Sequence, residues 1–457
     1  MGLLQKQAKE ANGENGRRVR VVPAWLPQQT AVPAPRRQFR SLRSFPSLGS
    51  PLLQKTGNRT APALQNGLMG PPKLHIAFLG TRGVPAAYSG FETFVEQLGV
   101  RLVERGHQVT VFNRYPFVPL KAREYRGMRI IRVRTIQRKS LDTLMHTFLS
   151  CLLLPLVRPD MVYLCGVGNA IFCGLVRMLG IPVVINVDGE DWARKKWSGF
   201  AVKWLRASEA WACRLANVVI ADAKVIQERY RRIYRRETVL VPYGANVRLE
   251  DAGIETLKKF GIEPRKYVLF VGRMVPENRA DLLIEAFKAV PRMAGVKLVI
   301  VGDAPYSEGY KKELAALADD RVVFTGYAFM EEYRELSRHC LFYVLASGVE
   351  GTRPVLLDQM GFGNCVVVRD SSANSDVVAD AGVKFESARE KESLAEKMNS
   401  LLEHPDVVEE YRGKAVKRVK EAFSWEKVTD RYEELFRGLV GWRQSAENSA
   451  ANDLPEN

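Results

Sequence analysis

The feature of this sequence that most constrains its fold is an alternation of β-rich and amphipathic segments that occurs twice. In the first half, short β-rich runs such as LHIAFLG (74–80) alternate with amphipathic stretches, and after a break near residue 245 the pattern restarts with YVLFVG (267–272). Strand–helix alternation is typical of parallel sheets covered by helices on both faces. The pattern predicts an α/β protein with two Rossmann-like domains facing a cleft, and ligands of open α/β sheets bind beyond the carboxyl ends of the strands.

The predicted domain limits follow the two halves of this pattern. They are a disordered basic, Pro-rich extension (1–72), an N-terminal domain (73–245), a C-terminal domain (246–424), a helix that crosses back to the N-terminal domain (425–442) and a disordered tail (443–457). The extension holds nine prolines, and such a composition buries too little apolar surface to offset the entropy of ordering. Met69 precedes the first strand and is an alternative translation start.

The net charge of +17 is distributed unevenly along the chain. Residues 1–72 carry a net charge of +9 and residues 73–245 carry +14, whereas the remainder carries −6. A run of eight basic residues and one acidic residue occupies positions 121–139. A solvated surface is one interpretation of the run. The asymmetry also favours an anionic partner such as a membrane surface, where each basic residue adds about 1 kcal/mol of attraction.

Several site types are not indicated by the composition. None of the six cysteines forms a CxxC pair, so a zinc site is not expected, and we expect free thiols in a reducing compartment. The most apolar stretch, LMHTFLSCLLLPLV (144–157), is too short to cross a membrane. A buried helix is the first interpretation of this stretch and an interfacial helix the second. No secretory signal is apparent at the N-terminus.

The first strand leads into a glycine-bearing loop that opens a helix. In TRGVPAAYSGFE (81–92), Gly83 and Gly90 would let the backbone approach a ligand, and the start of the helix could stabilise a phosphate. The helix has a predicted buried stripe of apolar residues at helical spacing, namely Phe91, Phe94, Val95, Leu98 and Leu102. The spacing is not that of a dinucleotide-binding GxGxxG motif, and on spacing alone a structural role for the loop remains open.

The second half places basic and polar residues after a strand. In GRMVPENRADLLIEAF, Arg273 follows the strand, and Asn278 and Arg279 precede the next helix. A guanidinium at a strand end could bind a diphosphate through paired hydrogen bonds, although a surface arginine would give the same pattern.

Two acids in SGVEGTRPVLLDQMGFGNCVVV give the strongest signal. Glu350 stands where a loop should enter a helix, and Asp358 lies eight positions further, more than one turn into that helix. One carboxylate can then bind the hydroxyls of a sugar and the other those of a ribose, while N–H groups at the start of the helix face a diphosphate.

These segments resemble the family 4 retaining glycosyltransferases of GT-B fold. The resemblance covers roughly residues 74–440 and includes GRMVPEN, VGDAPY, the closing FSWEKV helix and the Glu-x7-Glu motif of that family, present as Glu-x7-Asp. More narrowly, LGTRGVPAAYSGFETFVEQL, DGEDWARKKWSGFAVKWLRASE and VPYGA resemble a bacterial subfamily that includes polysaccharide rhamnosyltransferases. The resemblance implies retention of configuration, no divalent metal, no cofactor beyond a nucleotide-sugar donor, and a donor site in the second domain.

The resemblance also implies roles for single residues. Arg273 would bind the donor diphosphate and Glu350 the donor sugar. The backbone N–H groups of Gly351 and Thr352 would complete the diphosphate site, and Asp358 would hold the ribose. The remaining positions are Tyr327 in the base pocket and Gly90, contributed by the N-terminal domain, near the diphosphate.

Two departures from the family pattern affect the predicted site. Asn278 replaces the phosphate-binding lysine of the wider family, so Arg279 is the candidate for that charge. The acceptor-side histidine is absent, and Asp188 occupies its region. Asp188 is therefore included among the candidate catalytic residues with Glu350, Arg273 and Arg279.

The sequence thus predicts transfer of a sugar, with rhamnose as one candidate, to a lipid-diphosphate-linked or saccharide acceptor in cell-envelope polysaccharide synthesis. The expected location is the cytoplasmic face of the plasma membrane. Transfer of a hexose or an N-acetylhexosamine is an alternative within the family. A sugar-nucleotide epimerase on the same fold and a nucleic-acid-binding protein that uses the basic N-terminal face are alternatives of other classes. Nucleic acid is not an expected partner, because the sequence has no recognisable nucleic-acid-binding motif.

Overall fold

The computed structural model describes residues 72–86, 90–118, 120–136, 141–187, 189, 192, 199–292, 295–304, 307–348 and 350–452. Of the segments predicted to be disordered, residues 1–71 of the extension (1–72) and residues 453–457 of the tail (443–457) lie outside these residues, whereas residues 443–452 of the tail are helical. The described part contains two α/β domains followed by a long C-terminal helix.

The N-terminal domain is built on one eight-stranded sheet with the order β3-β4-β2-β1-β5-β6-β7-β8. Its strands are β1 (His75–Leu79), β2 (Gln108–Tyr115), β3 (Glu124–Tyr125), β4 (Met128–Arg134), β5 (Met161–Cys165), β6 (Val183–Asn186), β7 (Val218–Ala221) and β8 (Val239–Leu240). Its helices are α1 (Gly90–Glu104), α2 (Leu141–Val157), α3 (Phe172–Met178), α4 (Phe200–Leu215) and α5 (Lys224–Tyr234).

The C-terminal domain has a six-stranded sheet with the order β11-β10-β9-β12-β13-β14. Its strands are β9 (Tyr267–Val271), β10 (Lys297–Val301), β11 (Val322–Gly326), β12 (Phe342–Leu345), β13 (Val366–Arg369) and β14 (Val383–Phe385). Its helices are α6 (Glu255–Lys259), α7 (Ala280–Ala289), α8 (Glu308–Leu317), α9 (Met330–Arg338), α10 (Pro354–Gly361), α11 (Ser372–Val378), α12 (Glu390–Glu403) and α13 (Pro405–Arg418).

Both sheets follow the topology of two Rossmann-like domains, which confirms the predicted fold class. Every strand pairing is parallel except that of the short edge strand β3 with β4. The central strands are buried and rich in Val, Ile and Leu, as expected for sheets covered by helices on both faces. The sequence pattern did not predict β3 and β14, because two or three residues are too few to show a periodicity.

The chain crosses between the domains at two adjacent points. Ala245 pairs with Ser424 in an isolated parallel bridge, and the Ala245 N–H donates to the carbonyl oxygen of Phe423 at 2.7 Å. The last helix, α14 (Trp425–Asn452), begins there and continues beyond the predicted end at residue 442. Ser424 caps this helix by accepting the Lys427 N–H at 3.4 Å.

Helix α14 is fixed to the N-terminal domain by an aromatic cluster. Tyr432 lies between Phe94 of α1 and Tyr163 of β5, with ring centroids 5.3 and 5.8 Å away. The two tyrosine hydroxyls are 3.2 Å apart, and the Asn186 amide donates to Tyr163 at 3.1 Å. These buried hydroxyls therefore have hydrogen-bond partners in a predominantly apolar contact.

A charged cluster beside these aromatic rings joins α1 to α14. The Glu433 carboxylate accepts hydrogen bonds from Arg105 at 2.9 Å and Arg437 at 2.7 Å, and His107 Nε2 lies 3.2 Å from it. The His107 Nδ1 accepts the Leu74 N–H, so Nε2 is the donor. Burial opposes ionisation of Glu433, but these three donors prevail and lower its pKa to about 2. The cluster thus stabilises the packing of α14 on the N-terminal domain.

This cluster predicts a pH-dependent contribution to stability. The folded-state pKa of Glu433 is lower than the value of about 4.3 in an unfolded chain. The stabilisation by Glu433 is therefore complete above the unfolded-state pKa and is lost as the pH falls towards the folded-state pKa of about 2. Glu433→Gln should lower the urea midpoint at pH 7, and the difference from the wild type should shrink in acid. Glu434→Gln, at an exposed neighbour on the same helix, is the matched control. Equal midpoints for both variants at neutral pH would contradict the assignment.

Candidate active site

The loop after β1 is shaped by close backbone approaches. Gly83 has a φ of +111°, and a Cβ there would lie 2.0 Å from Oδ1 of Asn113. The Asn113 amide instead fills that space, accepts the Val84 N–H at 3.0 Å and donates to the Val84 carbonyl oxygen. Glu92 of α1 accepts the Arg82 N–H at 3.2 Å. Gly83 is therefore required to hold this loop against the start of α1.

The N-termini of α1 and α10 meet across the cleft. A Cβ on Gly90, the first residue of α1, would lie 3.0 Å from Cγ of Pro354, the first residue of α10. A Cβ on Gly189 would lie 2.6 Å from the Glu350 carbonyl oxygen. Two glycines of the N-terminal domain thus allow its backbone to contact the Glu350–Pro354 segment, and two helix N-termini favour negative charge between them.

Thr352 has a partner that the sequence did not predict. Its backbone N–H donates to Oδ2 of Asp222 at 2.9 Å, and its hydroxyl donates to the Asp222 carbonyl oxygen at 2.8 Å. Asp222 follows β7 in the N-terminal domain. The prediction that the Thr352 N–H faces a diphosphate therefore needs correction for this conformation, because a carboxylate already accepts it. The Asp222 carboxylate occupies an anion position at the start of α10.

Glu350 lies between two pockets. An open pocket of about 490 Å³ extends into the C-terminal domain and is lined by Glu350, Arg369, Asp370, Ser371, Ser372, Ser375 and Ser387. A second pocket of about 290 Å³ joins Glu350 to α5 of the N-terminal domain, with Arg229 and Arg232 in its lining. One Glu350 oxygen accepts the Ala373 N–H at 3.2 Å. This carboxylate can therefore contact ligands held by either domain.

Asp358 lies on α10 one turn beyond its start, near Arg248 and Tyr333. Its carboxylate is 4.0 Å from the Arg248 guanidinium, and its side chain is 30% exposed. Burial raises the pKa of Asp358, while the Arg248 charge and a hydrogen bond from Tyr333 act in the opposite direction. A carboxylate that is costly to ionise and still partly accessible is suited to accept hydrogen bonds from ligand hydroxyls.

The three predicted residues of the loop after β9 have different environments. The Asn278 side chain donates to the Arg273 carbonyl oxygen at 2.8 Å, so Asn278 shapes the loop. Arg279 adopts a left-handed backbone conformation, and its guanidinium is 2.9 Å from Glu390. Within the described residues, the Arg273 guanidinium has no ion-pair partner. Arg273 is therefore the better placed of the two arginines to bind a ligand anion.

This loop contacts the segment that carries Glu350. The Gly348 N–H donates to the Glu277 carbonyl oxygen at 3.2 Å. The Arg353 guanidinium, at the N-cap of α10, donates to the Ser347 hydroxyl at 3.2 Å. Arg353 adds a cation beside Glu350 that the sequence analysis did not single out, although its position within the Glu-x7-Asp motif could have indicated it.

The remaining predicted residues are less closely connected to the cleft. Tyr327 follows β11, is 43% exposed and stacks on Phe329 with ring centroids 5.6 Å apart. Such an accessible aromatic pair could stack on a nucleobase. Asp188 lies outside the described residues. In the described part of the chain, no cluster of three or more His, Cys, Asp or Glu side chains is arranged to hold a metal ion.

The six cysteines are free, as predicted. Burial raises the pKa of the thiols of Cys151, Cys213 and Cys365 to about 12 and that of Cys340 to about 11. Such thiols are poor nucleophiles at neutral pH, so these four residues offer no alternative catalytic group.

Two family models match consecutive parts of the chain. The model described as Glycosyltransferase Family 4 matches residues 88–249, and the model described as Glycosyl transferases group 1 matches residues 254–421. The boundary between the two matches lies between β8 and α6, and the second match contains Arg273, Glu350 and Asp358.

Curated relatives include two glycosyltransferring enzymes. The chain is 26% identical over 262 residues to alpha-D-kanosaminyltransferase from Streptomyces kanamyceticus, covering 53% of this chain and 68% of the relative. It is 27% identical over 299 residues to alpha-maltose-1-phosphate synthase from Mycolicibacterium smegmatis, covering 57% and 74%.

Solved structures share the two-domain architecture. HepE from Anabaena, in complex with UDP and glucose, superposes with a TM-score of 0.66 at 19% identity and covers 80% of this chain and all of HepE. Sucrose-phosphate synthase from Thermosynechococcus elongatus superposes with a TM-score of 0.68 at 20% identity, covering 81% of this chain and all of the synthase. At these identities the likeness establishes the fold.

The environment of Asp358 predicts opposite effects on stability and binding. The pKa of Asp358 is raised in the folded protein, so the carboxyl group ionises at a lower pH in the unfolded chain than in the folded protein. The folded protein therefore becomes less stable as the pH rises from the unfolded-state pKa to the folded-state pKa. Asp358→Asn removes that cost, so its urea midpoint at pH 7 should exceed that of the wild type, with a smaller difference near pH 4. If Asp358 holds ligand hydroxyls, the same variant should raise the KM for the ligand about tenfold. A less stable variant with an unchanged KM would refute both interpretations.

Proposed function

Since the chain is a family 4 glycosyltransferase of GT-B fold, we propose that it transfers a sugar, with retention of configuration, from a nucleoside-diphosphate donor to a hydroxyl of an acceptor. The observation that carries the proposal is the position of Glu350. It lies where the N-termini of α1 and α10 meet, and it lines pockets of both domains. A carboxylate at this junction can bind the transferring sugar between the two substrates.

The donor binds along the C-terminal domain in this proposal. Arg273 and the N-terminal end of α10 bind the diphosphate, Asp358 accepts hydrogen bonds from the ribose, and Tyr327 stacks on the base. Arg353 provides a second positive charge near the diphosphate. Arg279 serves mainly to hold Glu390, since the two side chains are paired. The complexes of HepE with UDP and UDP-glucose are consistent with a nucleotide-sugar donor.

The reaction is a front-face substitution. The acceptor oxygen forms a bond to the anomeric carbon as the bond from that carbon to the diphosphate oxygen breaks, and the acceptor proton passes to the departing diphosphate oxygen. The transition state places positive charge on the sugar ring and negative charge on the diphosphate. Arg273 and the helix N-termini stabilise the diphosphate, which is the largest expected contribution. Glu350 positions the sugar and stabilises its positive charge.

Asp222 connects donor binding to the contact between the domains. Its carboxylate and a donor phosphate compete for the Thr352 N–H. Donor binding in this proposal therefore displaces Asp222 from α10, which couples occupancy of the donor site to the relative position of the domains.

The acceptor is a lipid-diphosphate-linked or saccharide molecule at the cytoplasmic face of the plasma membrane. The pocket beside α5 is lined by Glu228, Arg229, Arg232 and Glu350. Arg229 is paired with Glu209 at 3.1 Å, so Arg232 is the candidate cation for an anionic acceptor such as a lipid diphosphate. Rhamnose, another hexose and an N-acetylhexosamine are the candidate sugars. Asp188 remains the candidate acceptor-side residue from the sequence.

Substitution of the two central side chains should separate catalysis from folding. Arg273→Ala and Glu350→Gln should each lower kcat by about 10²–10³, because each removes stabilisation of charge that develops in the transition state. Release of the nucleoside diphosphate measures the rate, and circular dichroism verifies the fold. Arg279→Ala is the comparison, with an expected loss of about tenfold or less because its charge is already paired. Wild-type rates for both Arg273→Ala and Glu350→Gln would exclude this assignment of the site.

Incubation with bacterial membranes and a panel of sugar nucleotides identifies the donor. Wild-type protein should release one nucleoside diphosphate and incorporate the sugar into the membrane fraction, whereas Arg273→Ala should do neither. Interconversion of free sugar nucleotides without a new glycosidic bond would instead support the epimerase alternative.

A further inference from the structure

Helix α2 carries a row of apolar side chains on the face that points to solvent, in addition to those that it buries. Five exposed residues recur at intervals of three or four, namely Leu141, Met145, Phe148, Leu152 and Leu156. Leu152 is 52% exposed and Leu156 is 80% exposed. Such spacing places all five on one side of the helix. We refer to these five residues as the α2 stripe.

The buried side of α2 is partly polar. It carries His146, Thr147 and Ser150 beside the apolar Cys151, Leu154 and Val157, and the two hydroxyls donate to backbone carbonyl oxygens of the helix itself. A surface helix of a water-soluble domain normally has polar side chains on its exposed side, whereas the exposed side of α2 is apolar. The expected buried helix is thus buried on one side only, and its exposed apolar side accords with the interfacial interpretation. No helix in the described part of the chain is long and apolar enough to span a bilayer.

The apolar surface continues onto the neighbouring helices. The rings of Phe148 and Phe172 of α3 lie 6.3 Å apart. Exposed apolar side chains on and next to α3 and at the start of α4 extend the surface, namely Ile171, Met178, Leu179 and Phe200. An exposed apolar area that spans adjacent elements is typical of a docking surface.

Positive charge borders this apolar surface. Helix α2 packs against β4, and the exposed side chain of Arg129 lies on the face of that strand that α2 covers. Lys203 and Arg206 are exposed on α4, one turn and two turns after Phe200. Apolar side chains flanked by cations match the two layers of an anionic bilayer, in which acyl chains lie beneath negatively charged headgroups.

We propose that the α2 stripe is the membrane-binding surface of this protein and that its partner is an anionic phospholipid bilayer. Helix α2 lies in the plane of the membrane with Leu152 and Leu156 among the acyl chains, while Arg129, Lys203 and Arg206 contact the headgroups. Such a surface would bring the enzyme to a lipid-linked acceptor, and in this respect the inference rests on the proposed function.

The charge distribution favours a bilayer over a second copy of the chain. Two N-terminal domains that meet through this face would bring basic surfaces together, since residues 73–245 carry a net charge of +14. An anionic bilayer is attracted by the same charges. The orientation of α2 also suits the acceptor, because α2 begins beside the carboxyl end of β2, where Asp142 binds Arg114 at 2.9 Å. The α2 stripe thus starts at the edge of the sheet that faces the cleft.

Vesicle sedimentation of the full chain tests this proposal without donor or acceptor. The wild type should sediment with vesicles of phosphatidylglycerol and phosphatidylethanolamine, and less with phosphatidylcholine or at high salt. Leu152→Glu/Leu156→Glu should weaken the partition coefficient about 100-fold, since burial of each leucine contributes about a factor of ten. Leu249→Glu is the matched control, because Leu249 is 45% exposed and lies outside the N-terminal sheet and its helices. This control should bind vesicles like the wild type.

Two further measurements separate the outcomes. The wild type and the double variant should release nucleoside diphosphate at the same rate with a water-soluble acceptor. This assay tests the transferase proposal separately from membrane binding. Equal vesicle binding by the double variant and the wild type would overturn the proposal. Sedimentation velocity should show no change in oligomeric state. A dimer that the double variant dissociates, without any vesicle binding by the wild type, would assign the α2 stripe to self-association instead.

Discussion

Close backbone contact between two helix N-termini is the constraint on which the candidate site depends. Gly90 meets Pro354, and Gly189 meets the carbonyl group of Glu350, at distances that leave no room for a Cβ without displacement. A side chain at Gly189 would push against the backbone of Glu350, and one at Gly90 would crowd Pro354. The short segment between β12 and α10 is therefore contacted by backbone of the opposite domain at these two points, and Asp222 adds a side-chain contact at Thr352.

The contact also explains why the chain returns to its first domain. Without a second connection, the two sheets would be joined only by the segment after β8. Helix α14 adds the Tyr432 aromatic contact and the Glu433 charged cluster to α1, the same helix that begins with Gly90. The far end of α1 is thus held rigidly while its N-terminus faces the cleft. Asp222 and Thr352 form a smaller contact between the domains, and it is this contact that a donor phosphate would replace in the proposed reaction.

The sequence predicted the architecture well because buried parallel strands have a strong local signal. The runs LHIAFLG and YVLFVG contain β1 and β9, and Arg273 and Glu350 follow strands as expected. Partners distant in sequence could not be predicted in this way. The pairing of Arg279 with Glu390 and that of Thr352 with Asp222 depend on how helices from separate segments come together. For α2 the periodicity identified a helix, but an apolar segment does not reveal which of its faces is covered.

The exposed apolar stripe of α2 suggests a physical role for the uneven charge of the chain. Charge alone is a weak basis for membrane binding, because salt screens it and solvated basic surfaces are common. Apolar side chains alone would equally suit a protein partner. Together they require a partner with negative charge at its surface and hydrocarbon below it, and a bilayer has both. A lipid-linked acceptor is confined to that same layer, so docking through α2 would replace a search in three dimensions by one in the plane of the membrane. The C-terminal domain, which would bind the donor, is acidic and is not attracted to an anionic membrane. It would remain in the aqueous phase, where a nucleotide sugar is available.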